Sequence, residues 1–209
     1  MIETASVALA ALFATVSPID VAAVFTALTA AATPAERRSI AIRGTLIATS
    51  ILLVVALAGK FFLSGLGISL AALRTAGGIL LLLIGIEMVF ARSSGATSTT
   101  EEETREAQRK HDIAVFPLAT PLIAGPGAIG ATILLMSNAE GQLLHQIIVV
   151  VSLLAIMLIT LASMLTAGQL HRFLGITGMN VVNRVFGILL SALAVQFLFD
   201  GIAQSGLVD

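Results

Sequence analysis

The sequence Thr120-Pro121-Leu122-Ile123-Ala124-Gly125-Pro126-Gly127-Ala128-Ile129 lies within an apolar run, residues 113–136, of about the length that crosses a bilayer as a helix. This run contains two prolines, Pro117 and Pro121, and then the triplet Gly125-Pro126-Gly127, so a helix through it cannot be continuous. Each proline removes a backbone donor and clashes with the preceding turn. In hydrocarbon, the polar backbone groups freed in this way must be buried in protein or must line a polar cavity. The sequence therefore predicts a broken membrane helix whose break is a candidate binding site.

The composition indicates a multi-pass membrane protein with one membrane domain. Hydrophobic residues make up 57% of the chain, charged residues only 11%, and the mean hydropathy is +1.04. The net charge of -1 gives no indication of a nucleic-acid partner. The chain has no cysteine, which excludes disulfides, thiolate metal ligands and thiol catalysis. The three histidines lie at predicted span ends and form no metal-ligand cluster, so we expect neither a metal nor a cofactor.

Six apolar runs have the length of membrane helices. They are approximately Ala5–Ala32, Ser39–Leu63, Ile68–Ala91, Ile113–Met136, Leu143–Ala167 and Met179–Ile202. The first run follows no basic segment and is too long for a signal peptide, so we expect it to be retained as a span. A polar linker between the third and fourth runs divides the chain almost in half.

The two halves resemble each other at a nearly constant spacing of about 108–109 residues. The matched positions are Gly78–Leu81 with Gly187–Leu190, Glu87 with Gln196, Leu66–Ser69 with Leu174–Thr177, and Ser17-Pro18 with Gly125-Pro126. Because each half has an odd number of spans, the second half must be inserted upside down relative to the first. We predict an all-α polytopic fold of two inverted three-helix repeats, residues 1–92 and 113–209, joined by a cytoplasmic linker over residues 93–112. Helices 1 and 4 are predicted to be discontinuous.

Basic residues predict the orientation in the plasma membrane. With the N-terminus outside, nine basic residues fall on the cytoplasmic side: Arg37, Arg38, Arg43, Arg92, Arg105, Arg109, Lys110, Arg172 and Arg184. Only Lys60 and Arg74 remain on the outer side. The positive-inside rule therefore predicts that both termini are extracytoplasmic.

The two predicted helix breaks form the candidate site, because both fall near the middle of their spans. Half-helix N-termini attract a carboxylate through free N–H groups and the helix dipole, and the carbonyls across a break suit an ammonium group or a small cation. Two facing breaks can therefore hold an amino acid by its backbone groups. The substrate-binding candidates are Ser17, Pro18, Ile19, Asp20, Thr120, Pro121, Gly125, Pro126 and Gly127. The alternative is that these prolines and glycines only kink the helices for packing.

Asp20 is the only acidic residue near the middle of a predicted span, and an intramembrane carboxylate normally faces a cavity or a partner. It either couples transport to H⁺ or Na⁺, binds a substrate ammonium group, or caps the second half of span 1. Glu87 and its repeat mate Gln196 are further candidates for ion coupling, although Glu87 lies close enough to Arg92 in the sequence for simple pairing. The start of span 6 carries three residues that we interpret as capping or interfacial: Asn180, Asn183 and Arg184.

The segment Val115–Ile129, VFPLATPLIAGPGAI, resembles the signature of the MarC family of bacterial and archaeal membrane proteins. The six spans, the central linker and the length fit that family over almost the whole chain. The resemblance implies a substrate held at unwound regions of spans 1 and 4, and transport of small neutral amino acids such as glycine or alanine. One departure concerns the Asn-Pro-x-Gly-like motif that the family carries in span 1. Here Ser17 and Asp20 occupy the Asn and Gly positions, which changes the charge and the backbone freedom of the site.

Three functions fit these patterns. The leading prediction is a secondary transporter of small neutral amino acids, with H⁺ or Na⁺ coupling and homo-oligomerisation left open. The alternatives are a multidrug or small-metabolite exporter and a non-transporting membrane scaffold. The sequence has no Walker motif, so ATP-driven transport by this chain alone is not expected. No catalytic triad, metal-ligand set or carboxylate pair occurs at membrane depth, so we do not expect an enzyme.

Overall fold

The computed structural model describes residues 1–29, 32–65, 67–90, 112–139 and 141–206. The regular structure in these ranges is helical. Its elements are α1 (Ile2–Val16), α2 (Pro18–Leu28), α3 (Pro34–Gly65), α4 (Leu70–Phe90), α5 (Ala114–Ile123), α6 (Pro126–Asn138), α7 (Leu143–Leu165) and α8 (Ala167–Gln204). The predicted linker lies outside the described residues, apart from its last residue Asp112, and so do the basic residues assigned to it.

The described residues provide five candidate membrane spans, and a sixth when the bent pair α5 and α6 is counted as one span. Helices α1 and α2 together form span 1, α3 forms span 2, α4 forms span 3 and α7 forms span 5. Helices α5 and α6 are bent by 55° at a short break and form span 4, and Val181–Gln204 of α8 forms span 6. This confirms the predicted all-α polytopic fold with discontinuous helices 1 and 4.

Two helices extend beyond the apolar runs that predicted them. Helix α8 runs without a break from Ala167, whereas the sequence predicted a connection before Met179. Helix α3 begins at Pro34 rather than near Ser39. A capping box explains that start, since the Thr33 N–H and hydroxyl both donate to the Glu36 carboxylate at 2.8 Å. Hydropathy detects only the membrane-embedded part of a helix, so it does not detect polar helical turns beyond that part.

Spans 1 and 4 run in opposite directions through the bundle. Glu3 at the start of α1 lines a pocket together with Asn138 at the end of α6. At the opposite end, Leu28 of α2 lines a second pocket together with Ile113, which precedes α5. The other contacts follow the same symmetry, because span 1 packs on span 5 as span 4 packs on span 2. The second three-span repeat is therefore inverted relative to the first.

Spans 3 and 6 pack with their backbones in close contact, because glycines line the seam between them. A methyl group at Gly187 would lie 2.8 Å from the Met88 Cβ and 2.9 Å from the Gly85 carbonyl oxygen. A methyl group at Gly78 would lie 2.8 Å from the Ala194 carbonyl oxygen. Small residues permit the close approach that drives packing between helices in a membrane. This seam joins the two repeats beside the broken spans.

We expect Gly187→Ala to lower the stability of the protein by about 1–3 kcal/mol, because the new methyl group meets backbone atoms that cannot rotate away. Gly130→Ala is the matched control, since a Cβ at this position in α6 has no neighbour within 4 Å. Thermal unfolding in detergent, followed by circular dichroism, measures the effect. Equal unfolding midpoints for the two variants would show that the seam tolerates a wider separation.

Candidate functional site

Span 1 breaks at Ser17, which joins α1 to α2. Ser17 has a left-handed backbone conformation, with φ 48° and ψ 67°, which is uncommon for a residue other than glycine. Its N–H donates to the Phe13 carbonyl at 2.9 Å. Pro18 has no N–H to offer the Ala14 carbonyl, and the Ser17 hydroxyl donates to that oxygen instead, at 2.8 Å. Ser17 therefore closes α1 while turning the chain into α2.

The start of α2 leaves backbone amides directed toward the break. Val21 makes the first amide bond of this helix, donating to the Ser17 carbonyl at 3.0 Å. The amides of Ile19 and Asp20 precede that bond, so they have no carbonyl partner within α2. The positive end of the helix dipole lies at the same place. This end of α2 is suited to a negatively charged group.

The break in span 4 is longer than the sequence predicted. Helix α5 is an irregular, π-type helix, in which the Ala124 N–H donates to the Ala119 carbonyl at 2.9 Å. Phe116 (φ −130°, ψ 128°) and Thr120 (φ −135°, ψ 132°) are extended within it. Both precede a proline, whose ring disfavours the helical conformation of the residue before it. The distortion therefore begins at Phe116 and continues to the start of α6.

Helix α6 begins with the same order of residues and the same first hydrogen bond as α2, although Gly125 is extended (φ −81°, ψ 174°) where Ser17 is left-handed. Gly125 precedes the helix and Pro126 is its first residue, as Ser17 and Pro18 are in span 1. The Ile129 N–H donates to the Gly125 carbonyl at 3.0 Å. The amides of the two residues before Ile129, Gly127 and Ala128, consequently have no carbonyl partner within α6. The predicted match between the two Pro-containing segments thus extends to the hydrogen bonds of both breaks.

The two breaks lie at the same level and face each other. Helix α1 has 15 residues and α6 has 13, and both extend from the same end of the bundle. At about 1.5 Å per residue, both breaks lie roughly 20 Å from that end. A Cβ at Gly127 would lie 3.9 Å from the Thr15 Cβ, which places the first turn of α6 beside the last turn of α1.

Much of this broken backbone lies in the interior of the protein. Four residues beside the breaks are at most 3% exposed, namely Val16, Val21, Ala124 and Ala128. The break residues Ser17, Ile19, Asp20 and Thr120 are partly exposed. Pro126 is exposed, so its ring begins α6 without lining the interior. Burial of this kind is what the hydrocarbon core demands of irregular backbone.

Asp20 is held by a residue of span 6. The Asn183 side-chain amide donates to the Asp20 carboxylate at 2.8 Å. One turn further along α8, the ring of Phe186 packs against the ring of Phe13 with a centroid distance of 4.2 Å. Asp20 belongs to α2 and Phe13 belongs to α1, so one face of span 6 contacts both sides of the span 1 break.

The sequence interpretation of Asn183 as a capping or interfacial residue missed this contact. Asn183 and Asp20 are 163 positions apart, and no local pattern links them. One signal was nevertheless present in the sequence. An acid within one apolar run and an amide near the start of another both need polar partners in a membrane. Pairing these two residues would have satisfied both.

The remaining predicted residues lie at the breaks or elsewhere on the bundle. The Thr120 hydroxyl lies 3.5 Å from the Val115 carbonyl, within the distorted part of span 4. The Gln196 side chain is exposed on α8, and its amide donates to Asp200 at 3.0 Å. Glu87 is partly buried near the end of α4. The structure therefore brings Asp20 to the breaks and gives Gln196 a partner on its own helix.

The fold and the site together define a multi-pass α-helical membrane protein with inverted repeats and two facing broken spans. The chain belongs to the MarC family, since the family model described as MarC family integral membrane protein matches residues 3–205. This confirms the resemblance seen in the sequence.

Similar proteins occur in archaea and bacteria. The chain is 36% identical to UPF0056 membrane protein MJ1677 of Methanocaldococcus jannaschii, over 93% of this chain and 94% of that protein. It is 35% identical to UPF0056 membrane protein YhcE of Escherichia coli, over 91% and 88%. It is 33% identical to UPF0056 membrane protein YvbG of Bacillus subtilis, over 91% and 90%. No solved structure matches the chain.

Proposed function

We propose that this protein is a secondary transporter of small neutral amino acids, which works by alternating access around the two breaks. The observation that carries the proposal is the pair of half-helix N-termini at one level of the bundle. The amides of Ile19 and Asp20 in α2, and of Gly127 and Ala128 in α6, suit the carboxylate of an amino acid. Discontinuous helices in corresponding positions of inverted repeats are typical of secondary transporters.

The groups across the span 1 break suit an ammonium group. The carbonyls of Thr15 and Val16 lie beyond the last hydrogen bonds of α1 and carry the negative end of its dipole. A solute with one carboxylate and one ammonium group therefore meets donors and acceptors within the same break.

Close packing around the breaks favours a small side chain on that solute. A Cβ at Gly127 would lie 2.6 Å from the end of the Ile84 side chain. Many of the fully buried residues nearby are alanines: Ala11, Ala14, Ala124, Ala128 and Ala131. These observations support glycine or alanine as substrates in preference to large neutral amino acids.

We also propose a plasma-membrane location with both termini outside. This orientation places Arg37, Arg38 and Arg43, at the start of span 2, on the cytoplasmic side, in agreement with the positive-inside rule. H⁺ or Na⁺ is the proposed coupling ion, with Asp20 as the first candidate for its site. Glu87 and Gln196 stay secondary candidates.

Counterflow in proteoliposomes tests the transport function. Vesicles loaded with unlabelled alanine are expected to take up labelled alanine and glycine faster than vesicles without protein. Labelled leucine and phenylalanine serve as controls for the size limit. Absence of exchange with every small amino acid would contradict the proposal. Efflux of cationic dyes in the same vesicles would then favour an exporter, and absence of both fluxes would favour a scaffold.

A further inference from the structure

Two pockets open at opposite ends of the bundle. The first, the Glu3 mouth, has a volume of 170 Å³ and lies between the start of α1, the end of α6 and the start of α7. The second, the Arg43 mouth, has a volume of 440 Å³ and lies between the end of α2, the start of α3 and the segment before α5. The mouth of larger volume lies at the end that we propose to be cytoplasmic.

The two mouths occupy equivalent places in the two repeats. Exchanging span 1 with span 4 and span 2 with span 5 converts the elements around one mouth into those around the other. Single residues follow the same rule, because Glu36 and Ile40 at the Arg43 mouth correspond to His145 and Val149 at the Glu3 mouth at a spacing of about 109 residues. This correspondence indicates one feature of the repeat that occurs twice, and not two unrelated surface clefts.

Each mouth carries an acidic and a basic side chain. Glu3 and His145 line the Glu3 mouth, together with Thr4 and Asn138. Glu36 and Arg43 line the other mouth, together with Ser39. Acidic groups and nitrogen donors around one opening match the two charged ends of a dipolar solute better than they match an apolar drug.

Arginines at both ends tie the rim of a mouth to a neighbouring span. Arg43 of span 2 forms an ion pair with Asp112, just before span 4, at 2.6 Å. At the opposite end, the Arg74 guanidinium of span 3 donates to the side chain of Asn138, which lines the Glu3 mouth. Both contacts are exposed, so water screens them and their rupture requires little energy. Such contacts suit an opening that widens and narrows.

The floor of the Glu3 mouth is closed. Two of its lining residues, Leu135 and Val149, are only 4% and 1% exposed and belong to the hydrophobic core. Leu135 lies in α6, the helix whose first turn forms the span 4 break. A solute in the Glu3 mouth is therefore separated from the breaks by packed side chains of the broken span itself.

We propose that the Glu3 mouth and the Arg43 mouth are the two ends of one path for a zwitterionic solute, that this path runs between spans 1 and 4 past both breaks, and that widening one mouth narrows the other. In this structure the Arg43 mouth has the larger volume. This inference rests on the proposed transport function, and it adds the route and the charge pattern of the solute.

Single cysteines test the path, because the natural chain has none. Thr4→Cys reports on the Glu3 mouth and Ser39→Cys on the Arg43 mouth. Ile2→Cys and Ala35→Cys are matched controls, since each is exposed near the same end of the bundle and lines neither pocket. A membrane-impermeant maleimide is expected to label the two mouth cysteines from opposite sides. Labelling at either mouth is expected to block alanine exchange, whereas labelling of the controls leaves exchange intact.

A second measurement does not depend on flux. In the Thr4→Cys/Ser39→Cys double variant, a bulky maleimide on Cys at position 39 keeps the Arg43 mouth open. The reaction rate at position 4 is then expected to fall by about fivefold or more, as coupling between two sites of one equilibrium requires. The same bulky group in a Thr4→Cys/Ala35→Cys variant is expected to leave that rate unchanged.

The two measurements separate the two proposals. Exchange that persists after full labelling at both mouths overturns the path and leaves the transport function standing. Reaction rates that are independent in the double variant also overturn it, whatever the flux. Reciprocal rates in the double variant, together with no amino-acid exchange by the wild-type protein, overturn the proposed substrate and uphold the alternating path.

Discussion

Gly125→Ala is expected to reduce amino-acid exchange by about 10-fold or more while the protein remains folded in the membrane. A Cβ at this position would lie 2.5 Å from the Pro121 carbonyl oxygen, a separation that real structures do not show. The obstacle is backbone, so no side-chain rotation relieves it. Helix α6 must then move away from the turn, and the amides of Gly127 and Ala128 move with it.

The expected size of this effect follows from the cost of overpacking. Inserting a methyl group into a packed interior costs about 1–3 kcal/mol. Each 1.4 kcal/mol that acts on substrate binding changes affinity by about tenfold. Strain at Gly125 acts directly on the N-terminus of α6, where we place the carboxylate, so we expect it to appear mainly in transport.

Two glycines of α6, the helix that Gly125 precedes, provide controls for Gly125→Ala. Gly130→Ala adds a methyl group that meets nothing within 4 Å and is expected to leave exchange unchanged. Gly127→Ala meets the flexible end of the Ile84 side chain, which can move, so its effect is expected to be intermediate. Exchange rates and thermal unfolding midpoints of all three variants complete the test. Wild-type exchange in Gly125→Ala would remove the span 4 break from the proposed site.

The sequence was sufficient to locate both breaks, because the cause of each break is local. Pro18 and Pro126 interrupt the hydrogen bonds of their own helices wherever those helices lie. Their match at the repeat spacing, together with the odd number of spans in each half, also predicted the inverted arrangement that the structure shows. Interactions between residues that are neighbours in the sequence can be predicted without a structure.

The contact between Asn183 and Asp20 was not accessible in that way. It depends on how α8 packs across the junction of α1 and α2, which is a tertiary property. The extent of the span 4 distortion was also missed, although its cause is local. The sequence interpretation counted the prolines of α5 as helix breakers but did not extend their effect to the preceding residues, Phe116 and Thr120.

Repeat symmetry was a weaker guide to individual side chains than to the backbone. Glu87 and Gln196 are matched in sequence, yet Glu87 is partly buried and Gln196 is exposed beside Asp200. An inverted repeat places matched residues toward opposite ends of the bundle, where their neighbours differ. The positions of the helix breaks are retained under these conditions, but polar partners need not be.

Asp20→Asn is expected to abolish uptake driven by an ion gradient while leaving alanine exchange largely intact. The substitution keeps the size of the side chain and keeps an oxygen that accepts the 2.8 Å hydrogen bond from Asn183. It removes the negative charge, which an H⁺ or Na⁺ site requires. Exchange at equal concentrations needs no ion gradient, and the neutral Asn side chain resembles a protonated Asp, so the binding site between the breaks is expected to go on working.

Comparison with Asn183→Ala separates the charge of Asp20 from its contact with span 6. Asn183→Ala keeps the carboxylate but removes its donor, which is expected to lower stability by about 1.5–3 kcal/mol, the contribution of a hydrogen bond to a charged group. Gradient-driven uptake is expected to persist in this variant at a reduced rate. The Asp20→Ala single variant and the Asp20→Ala/Asn183→Ala double variant complete a cycle with Asn183→Ala, and the loss of stability in the double variant is expected to be smaller than the sum of the single losses.

Proteoliposomes with an imposed H⁺ or Na⁺ gradient provide the transport measurement, and thermal unfolding provides the stability measurement. If Asp20→Asn accumulates alanine against its gradient as the wild type does, Asp20 is not the coupling group. Its carboxylate would then serve the start of α2 and the contact with Asn183. Loss of both exchange and gradient-driven uptake would instead place Asp20 in contact with the substrate, as the partner of its ammonium group. The three outcomes distinguish the three roles that the sequence left open for this residue.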